Sequence, residues 1–171
     1  MANTFLKASG IEVGDSLVED DVIDLASQLL DRAGTKLVLP KDVIVADRLE
    51  VGAQTCTLEV EQGVGPGYSI VDIGPDTTKM FGDYIDDARI IIWNGPMGAF
   101  EVPEFAGGTN AIARRVAHSN ATSVVGGGDS AAAVYQSGYA NLISHVSTGG
   151  GATLEILRGK TLPAVAVLDQ M

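Results

Sequence analysis

The sequence is poor in cysteine, in basic residues and in long apolar runs. Among 171 residues there is a single cysteine, Cys56. One cysteine excludes an intrachain disulfide framework and fits a reducing compartment, so a cytoplasmic location is expected. Lysine and arginine number 11 against 22 aspartates and glutamates, a formal net charge of −11. That balance argues against broad nucleic-acid binding, because phosphate backbones require a basic face. No apolar run approaches the roughly 18–20 residues that a membrane-spanning helix needs. The opening Met1-Ala2-Asn3-Thr4-Phe5-Leu6 lacks the basic and long apolar regions of a signal peptide. Neither nucleic acid nor membrane is therefore expected as a partner.

Apolar residues, by contrast, make up 46% of the chain, too many for a disordered acidic tail. The length suits one domain with a sizeable core. Glycine is in excess, with 21 of 171 residues, or about 12% against a typical ~7%.

Apolar spacing predicts the order of elements. Residues 16–33 read as an amphipathic helix with Val18, Val22, Leu25, Ala26, Leu29 and Leu30 on one face and Gly34 as its stop. Residues 36–40 and 42–47 read as short strands, and 54–68 as loop with a marginal strand. From there strands at 69–73, 90–93, 122–125 and 142–146 alternate with helices at 75–87, 103–119, 130–136 and 152–158. Residues 165–168 form a last apolar stretch. Alternation of this kind indicates βαβ units and a parallel sheet covered on both faces, within one unit.

Three glycine clusters each follow a predicted strand. They are Asn94-Gly95-Pro96-Met97-Gly98, Gly126-Gly127-Gly128-Asp129-Ser130 and Ser147-Thr148-Gly149-Gly150-Gly151. In an open α/β sheet, ligands bind outside the carboxyl ends of the strands. Glycine there lets backbone N–H groups approach a ligand, and the next helix directs its positive end to the same place. The pattern is that of an anion site, with phosphate as the usual occupant. The phosphate loop GxxxxGK[ST] fails, because Gly159-Lys160-Thr161 has Leu154 where its first glycine belongs. The dinucleotide fingerprint is met by Gly126, Gly128 and Ala131. It lacks the acid about 20 residues on, and Asp129 would repel a bare pyrophosphate. Asp129 makes sense with a metal, since Mg²⁺ binds through one or two carboxylates plus nucleotide phosphates; it could equally cap the helix that follows. Glu101 could accept from two ribose hydroxyls or be a solvated acid.

Together with Asp72-Ile73-Gly74-Pro75, Trp93 to Glu101, Gly126 to Ser130 and Ser144 to Ala152 closely resemble the C-terminal, nucleotide-binding domain of the phosphoglycerate kinase family. The similarity runs over nearly the whole chain. It implies an α/β fold: a doubly wound, Rossmann-like parallel sheet with helices on both faces, here lacking its first two strands. Residues 1–171 would be part of that domain, without the N-terminal domain that binds 3-phosphoglycerate. The implied reaction is reversible phosphoryl transfer between 1,3-bisphosphoglycerate and MgADP, giving 3-phosphoglycerate and MgATP, by a protein that is a monomer at full length.

The resemblance also implies roles. Asn94, Gly95 and Pro96 would lie by the nucleotide phosphates. Gly98 and Ala99 would flank the adenine, with Leu17 and Val71 on its other sides; Ala99 stands where the family often has valine. Glu101 would bind the ribose. Gly126, Gly127 and Gly128 would offer backbone near the phosphates, Asp129 would serve the Mg²⁺, and Ser130 stands where threonine is also common. Gly149, Gly150 and Gly151 would stabilise the transferring phosphoryl group through N–H groups and the helix dipole.

The departures concern charge. None of the 11 basic residues lies in a glycine loop, while phosphoryl transfer needs cations to offset oxygen charge. The family's Gly-Gly-Ala-Lys segment, its substrate-binding basic patch and its catalytic arginine have no counterpart in these residues. The 171 residues alone are expected not to turn over. A binding module without catalysis and an NAD-dependent dehydrogenase are the rival readings. Of the remaining residues, His118 and Arg114-Arg115 read as surface positions, Trp93 as core, Cys56 as an unreactive thiol, and His145 as a poor candidate for a base.

Overall fold

The computed structural model describes residues 1–168. The chain divides into two compact units, one of Met1–Gly82 with Met97–Ala111, the other of Asp83–Pro96 with the residues from Ile112 on. The sequence reads as a single unit and the fold is two, because two separate sheets each gather a core.

The first unit holds helices α1 (Ala2–Ala8) and α2 (Ile23–Ala33) and strands β1 (Asp42–Ala46), β2 (Thr55–Glu59) and β3 (Ser69–Ile73). Its sheet has the order β2-β1-β3, and both pairings are antiparallel. The expected parallel sheet does not extend here, because the short connection from β1 to β2 can only reverse the chain. Central strand β1 reads as a continuous apolar run because both of its faces are covered. Val43 and Val45 pack with Leu6, Val13, Val60 and Val64, while Ala46 packs with Val71 and Phe105.

Two expected elements are corrected in this unit. Residues 36–40 form no strand: a 3-10 turn covers Gly34–Lys36, and Leu39 packs on the core of Val43 and Val45. Pro40, which has no N–H, cannot donate to a ladder. The helix expected from residue 16 begins as a 3-10 turn at Asp20–Val22 and becomes α2 only at Ile23. The start is held off by hydroxyl bonds: buried Ser16 donates to the carbonyl of Val13 and accepts the Ile70 N–H at 2.8 Å, and Thr4 accepts the Glu19 N–H at 3.2 Å. The anticipated apolar face is only partly covered: Ala26 is buried, Val18, Val22 and Leu30 are half-buried, and Leu25 and Leu29 are exposed.

The second unit contains β4 (Ile90–Trp93), β5 (Thr122–Gly126) and β6 (His145–Ser147), all parallel in the order β4-β5-β6. Helices α5 (Gly128–Gln136), α6 (Gly150–Leu157) and α7 (Pro163–Leu168) follow. This parallel sheet with its helices bears out the α/β class. Strand β6 starts three residues later than expected. Ser123 and Ser144 exchange backbone-to-hydroxyl bonds of 3.1 and 3.0 Å before the ladder begins.

Helices α3 (Pro75–Asp86) and α4 (Gly107–His118) each begin in the first unit and end in the second. The α3 N-terminus is capped from β1. Buried Asp42 accepts the N–H groups of Asp76 and Thr77 and the Thr77 hydroxyl at 3.1, 2.7 and 2.7 Å. Residues 103–119 are not one helix, since a 3-10 turn at Pro103–Phe105 precedes α4 and fully buried Phe105 anchors it. Among the described residues, no helix is long and apolar enough to cross a membrane.

Candidate functional site

In the second unit the three strands end side by side, and each is followed within two residues by glycine. Loop Asn94–Pro96 follows β4, Gly127 joins β5 to α5, and Thr148-Gly149 joins β6 to α6. Parallel neighbours have their carboxyl ends on one edge, and here the loops touch. A Cβ on Gly150 would stand 2.6 Å from the Gly127 Cα, and the Asn94 side-chain nitrogen lies 3.7 Å from a Cβ built on either glycine. A methyl group cannot fit at Gly150 without displacing backbone. Gly127 also has φ +111°, a conformation that L side chains rarely adopt.

Each loop is pinned by its neighbours. The Gly95 N–H donates to the Ser130 hydroxyl at 2.6 Å, and the Trp93 indole N–H donates to the Gly95 carbonyl at 2.6 Å. Both ends of one glycine are thus held by buried side chains. The Gly127 N–H is spent on the Ser147 carbonyl, at 3.0 Å. The N–H groups of Gly128, Asp129 and Ser130, in the first turn of α5, have no partner within the helix. A Cβ on Gly128 or Gly151 would meet nothing within 4 Å.

Asp129 is not the helix cap. Gly127 holds the cap position, and Asp129 sits in the first turn, exposed. Among the described residues it has no hydrogen-bond or ion-pair partner. A free carboxylate beside unpaired amides suits a hard cation that itself carries phosphate oxygens. Among the described residues, no group of three His, Cys, Asp or Glu side chains gathers to hold a metal unaided. Three basic side chains of this unit are engaged elsewhere: Arg115 pairs with Asp86, and Arg158 and Lys160 both pair with Glu155.

The first unit holds the other predicted site residues. The Ala99 N–H donates to the Val71 carbonyl at 2.8 Å. A Cβ on Gly98 would lie 2.4 Å from that carbonyl oxygen and 2.5 Å from the Asp72 carboxylate. The Val71 side chain is buried with Ala46 and Phe105, so Val71 offers the loop its backbone. Glu101 is exposed. Leu17, 86% exposed, lines a separate open depression of about 510 Å³ with Lys7, Ile11 and Val18; Val71, Gly98, Ala99 and Glu101 do not line it.

Two residues without a predicted role organise this loop. Fully buried Thr109 accepts the Met97 and Gly98 N–H groups on its hydroxyl, at 3.1 and 3.3 Å. Buried Asp72 accepts the Gly108 N–H at 2.6 Å and the Ile73 N–H at 2.9 Å, capping α4 from β3. Gly108 is required there, since its Cβ would lie 2.4 Å from Ile73 and 2.5 Å from Asp72. Burial pushes the Asp72 carboxyl up to about 6, against the pull of those two amides. Asp42 is also desolvated, yet the Thr77 hydroxyl and the helix amides outweigh burial and hold it below its ordinary value. The signal for Thr109 was Gly107-Gly108-Thr109 at a helix start, but only the tertiary contact shows which way its hydroxyl turns.

The family model described as phosphoglycerate kinase matches residues 1–160. The chain belongs to the phosphoglycerate kinase family. A phosphoglycerate kinase of Rubrobacter xylanophilus is 55% identical over 170 residues, covering 99% of this chain and 43% of the relative. One from Pseudothermotoga lettingae is 51% identical, covering 96% and 42%. The solved phosphoglycerate kinase of Coxiella burnetii superimposes with a TM-score of 0.91 at 45% identity, covering 98% of this chain and 44% of that one. That of Pyrococcus horikoshii gives 0.83 at 32%. The chain thus spans less than half the length of the phosphoglycerate kinases that it matches.

Proposed function

We propose that this chain supplies most of the nucleotide site of a phosphoglycerate kinase, as part of the C-terminal domain. The reaction is reversible phosphoryl transfer between 1,3-bisphosphoglycerate and MgADP, giving 3-phosphoglycerate and MgATP in glycolysis. The observation that carries the reading is the meeting of Asn94, Gly127 and Gly150 beside the unpaired Asp129 carboxylate. In this reading, amides of Gly128, Asp129 and Ser130 hold phosphate oxygens, and Asp129 holds Mg²⁺. The ion, when bound, offsets negative charge on those oxygens. Gly149, Gly150 and Gly151 open α6 toward the transferring group, where amide and helix-dipole stabilisation favours the charge of the transition state. Gly98 and Ala99 take the adenine and Glu101 the ribose, as in the family pattern.

The acid-substrate half of the reaction requires cations that these loops do not contain, so the 171 residues alone do not turn over. The cytoplasm suits a chain with one thiol.

Calorimetry on the 171-residue chain tests the reading, with MgADP and with NAD, alongside a phosphoryl-transfer assay. Binding of MgADP, none of NAD and no turnover are expected. Binding of NAD in preference to MgADP would point to a dehydrogenase, and turnover above a blank would refute the partial-kinase reading.

A further inference from the structure

We infer that Thr109 is a positioning residue for adenine recognition, acting through the backbone of Met97 and Gly98, with Asp72 fixing the helix that carries it. The inference rests on the reading of Gly98 and Ala99 as the adenine wall.

The argument is geometric and lies wholly within the first unit. The segment from Met97 to Ala99 has few side-chain anchors: Gly98 has none, and Ala99 has one methyl group. Its shape is therefore set by where its amides are held. The Ala99 N–H is fixed by β3 through the Val71 carbonyl. The other two N–H groups converge on one oxygen, the Thr109 hydroxyl, whose two lone pairs can serve both. Thr109 is fully buried, so water cannot replace that oxygen.

Thr109 in turn sits in the first turn of α4, whose position is fixed by the bond from the Gly108 N–H to Asp72 at 2.6 Å. The absence of a Cβ at Gly98 and Gly108 lets strand, loop and helix pack at this distance; either methyl group would collide with Asp72. A base stacked against Gly98 meets backbone whose position is dictated by the Thr109 hydroxyl. Phosphate recognition uses different loops and does not depend on that hydroxyl.

The test compares the 171-residue chain with Thr109→Val, which keeps the shape and removes the hydroxyl, and Thr109→Ser, which keeps the hydroxyl. The readouts are amide hydrogen exchange and calorimetric affinity for MgADP and for magnesium tripolyphosphate, which has phosphates but no base. In Thr109→Val, exchange at Met97 and Gly98 should accelerate about tenfold while Val125 is unchanged. MgADP binding should weaken about three- to tenfold, part of the free energy of the two lost hydrogen bonds being felt at the ligand, with tripolyphosphate unaffected. Thr109→Ser should restore both. Equal weakening of the two ligands, unchanged MgADP affinity, or failure of serine to rescue would overturn the inference while leaving the nucleotide reading intact. A wild-type chain that binds MgADP no better than tripolyphosphate would overturn the adenine reading and this inference with it.

Discussion

The Ser130 hydroxyl accepts the Gly95 N–H at 2.6 Å, tying the loop after β4 to the first turn of α5 across 35 residues of sequence. Ser130 is 1% exposed, so its side chain acts on the loop and only its backbone N–H remains for a ligand. Ser130→Ala leaves a poorly solvated amide without an acceptor and should cost about 1–3 kcal/mol. Ser130→Thr keeps the oxygen. Thermal unfolding of both variants, with MgADP titrations, checks this. An alanine variant as stable as wild type would show the bond to be dispensable.

Asp129 has a different consequence, because it is exposed and unpaired. Asp129→Ala should leave the melting temperature within a degree or two and weaken MgADP binding about tenfold or more. Binding of ADP without Mg²⁺ should stay the same or improve, since a like charge has gone. In a complete enzyme, the loss should fall on the Mg-nucleotide and spare 3-phosphoglycerate. Equal losses for both substrates would contradict a metal role.

Gly150 and Gly151 are adjacent and should behave in opposite ways. Gly150→Ala drives a methyl group to within 2.6 Å of the Gly127 backbone and should destabilise the second unit by about 1–3 kcal/mol. Gly151→Ala meets open space and replaces a poor helix former with the best. It should keep or raise stability while reducing MgADP affinity if this face holds the ligand. Denaturant unfolding of the pair decides the first point and calorimetry the second. Similar stability losses in both would indicate a different packing of α6.

Asp72 predicts an unusual pH dependence. Its carboxyl is raised from the ordinary 3.8 to about 6 in the fold. Between those values the folded state holds a proton that the unfolded state has released. Stability should therefore fall as pH rises from about 4 to about 6, by about 2–3 kcal/mol, and level off above. Asp42 acts oppositely: its lowered value adds stability above the ordinary carboxylate range, lost as pH falls through the folded value. Denaturation of wild type and Asp72→Asn across pH 4–7 isolates the Asp72 contribution, because the variant should lack the decline. Parallel curves would show that Asp72 does not titrate in this window.

Much of the site was legible because glycine clusters follow the strands. The run Ile90–Trp93, followed by Asn94 and Gly95, reads as a buried parallel strand ending in a loop close to backbone; the structure has the parallel pairing and the loop, but only Trp93 is buried, and Ile90 and Ile92 are exposed. The start of α2 was not legible. Apolar spacing from Val18 onward fits a helix, but Ser16 and Thr4 hydroxyls bind backbone that is distant in sequence and hold residues 17–19 out of it. Strand β1 was visible as an apolar run and β3 as a strand at 69–73, while the antiparallel direction of their pairing was not, since a run buried on both faces looks alike in either direction.

By itself the sequence determined two strands of the parallel sheet and the neighbourhood of the third, the three glycine loops at its edge, the acid that adjoins one of them, and the family. These are local signals: periodicity, backbone freedom at glycine, and a shortage of cations. Only the tertiary structure decided that the chain forms two units, that Val71 supplies a carbonyl instead of a side-chain wall, and that burial raises the Asp72 carboxyl while hydrogen bonds lower that of Asp42. The two carboxyl shifts depend on which donors surround a buried oxygen, and the donors come from residues some 35 positions away. The same holds for Thr109, whose hydroxyl gains its role from two amides that the fold brings to it.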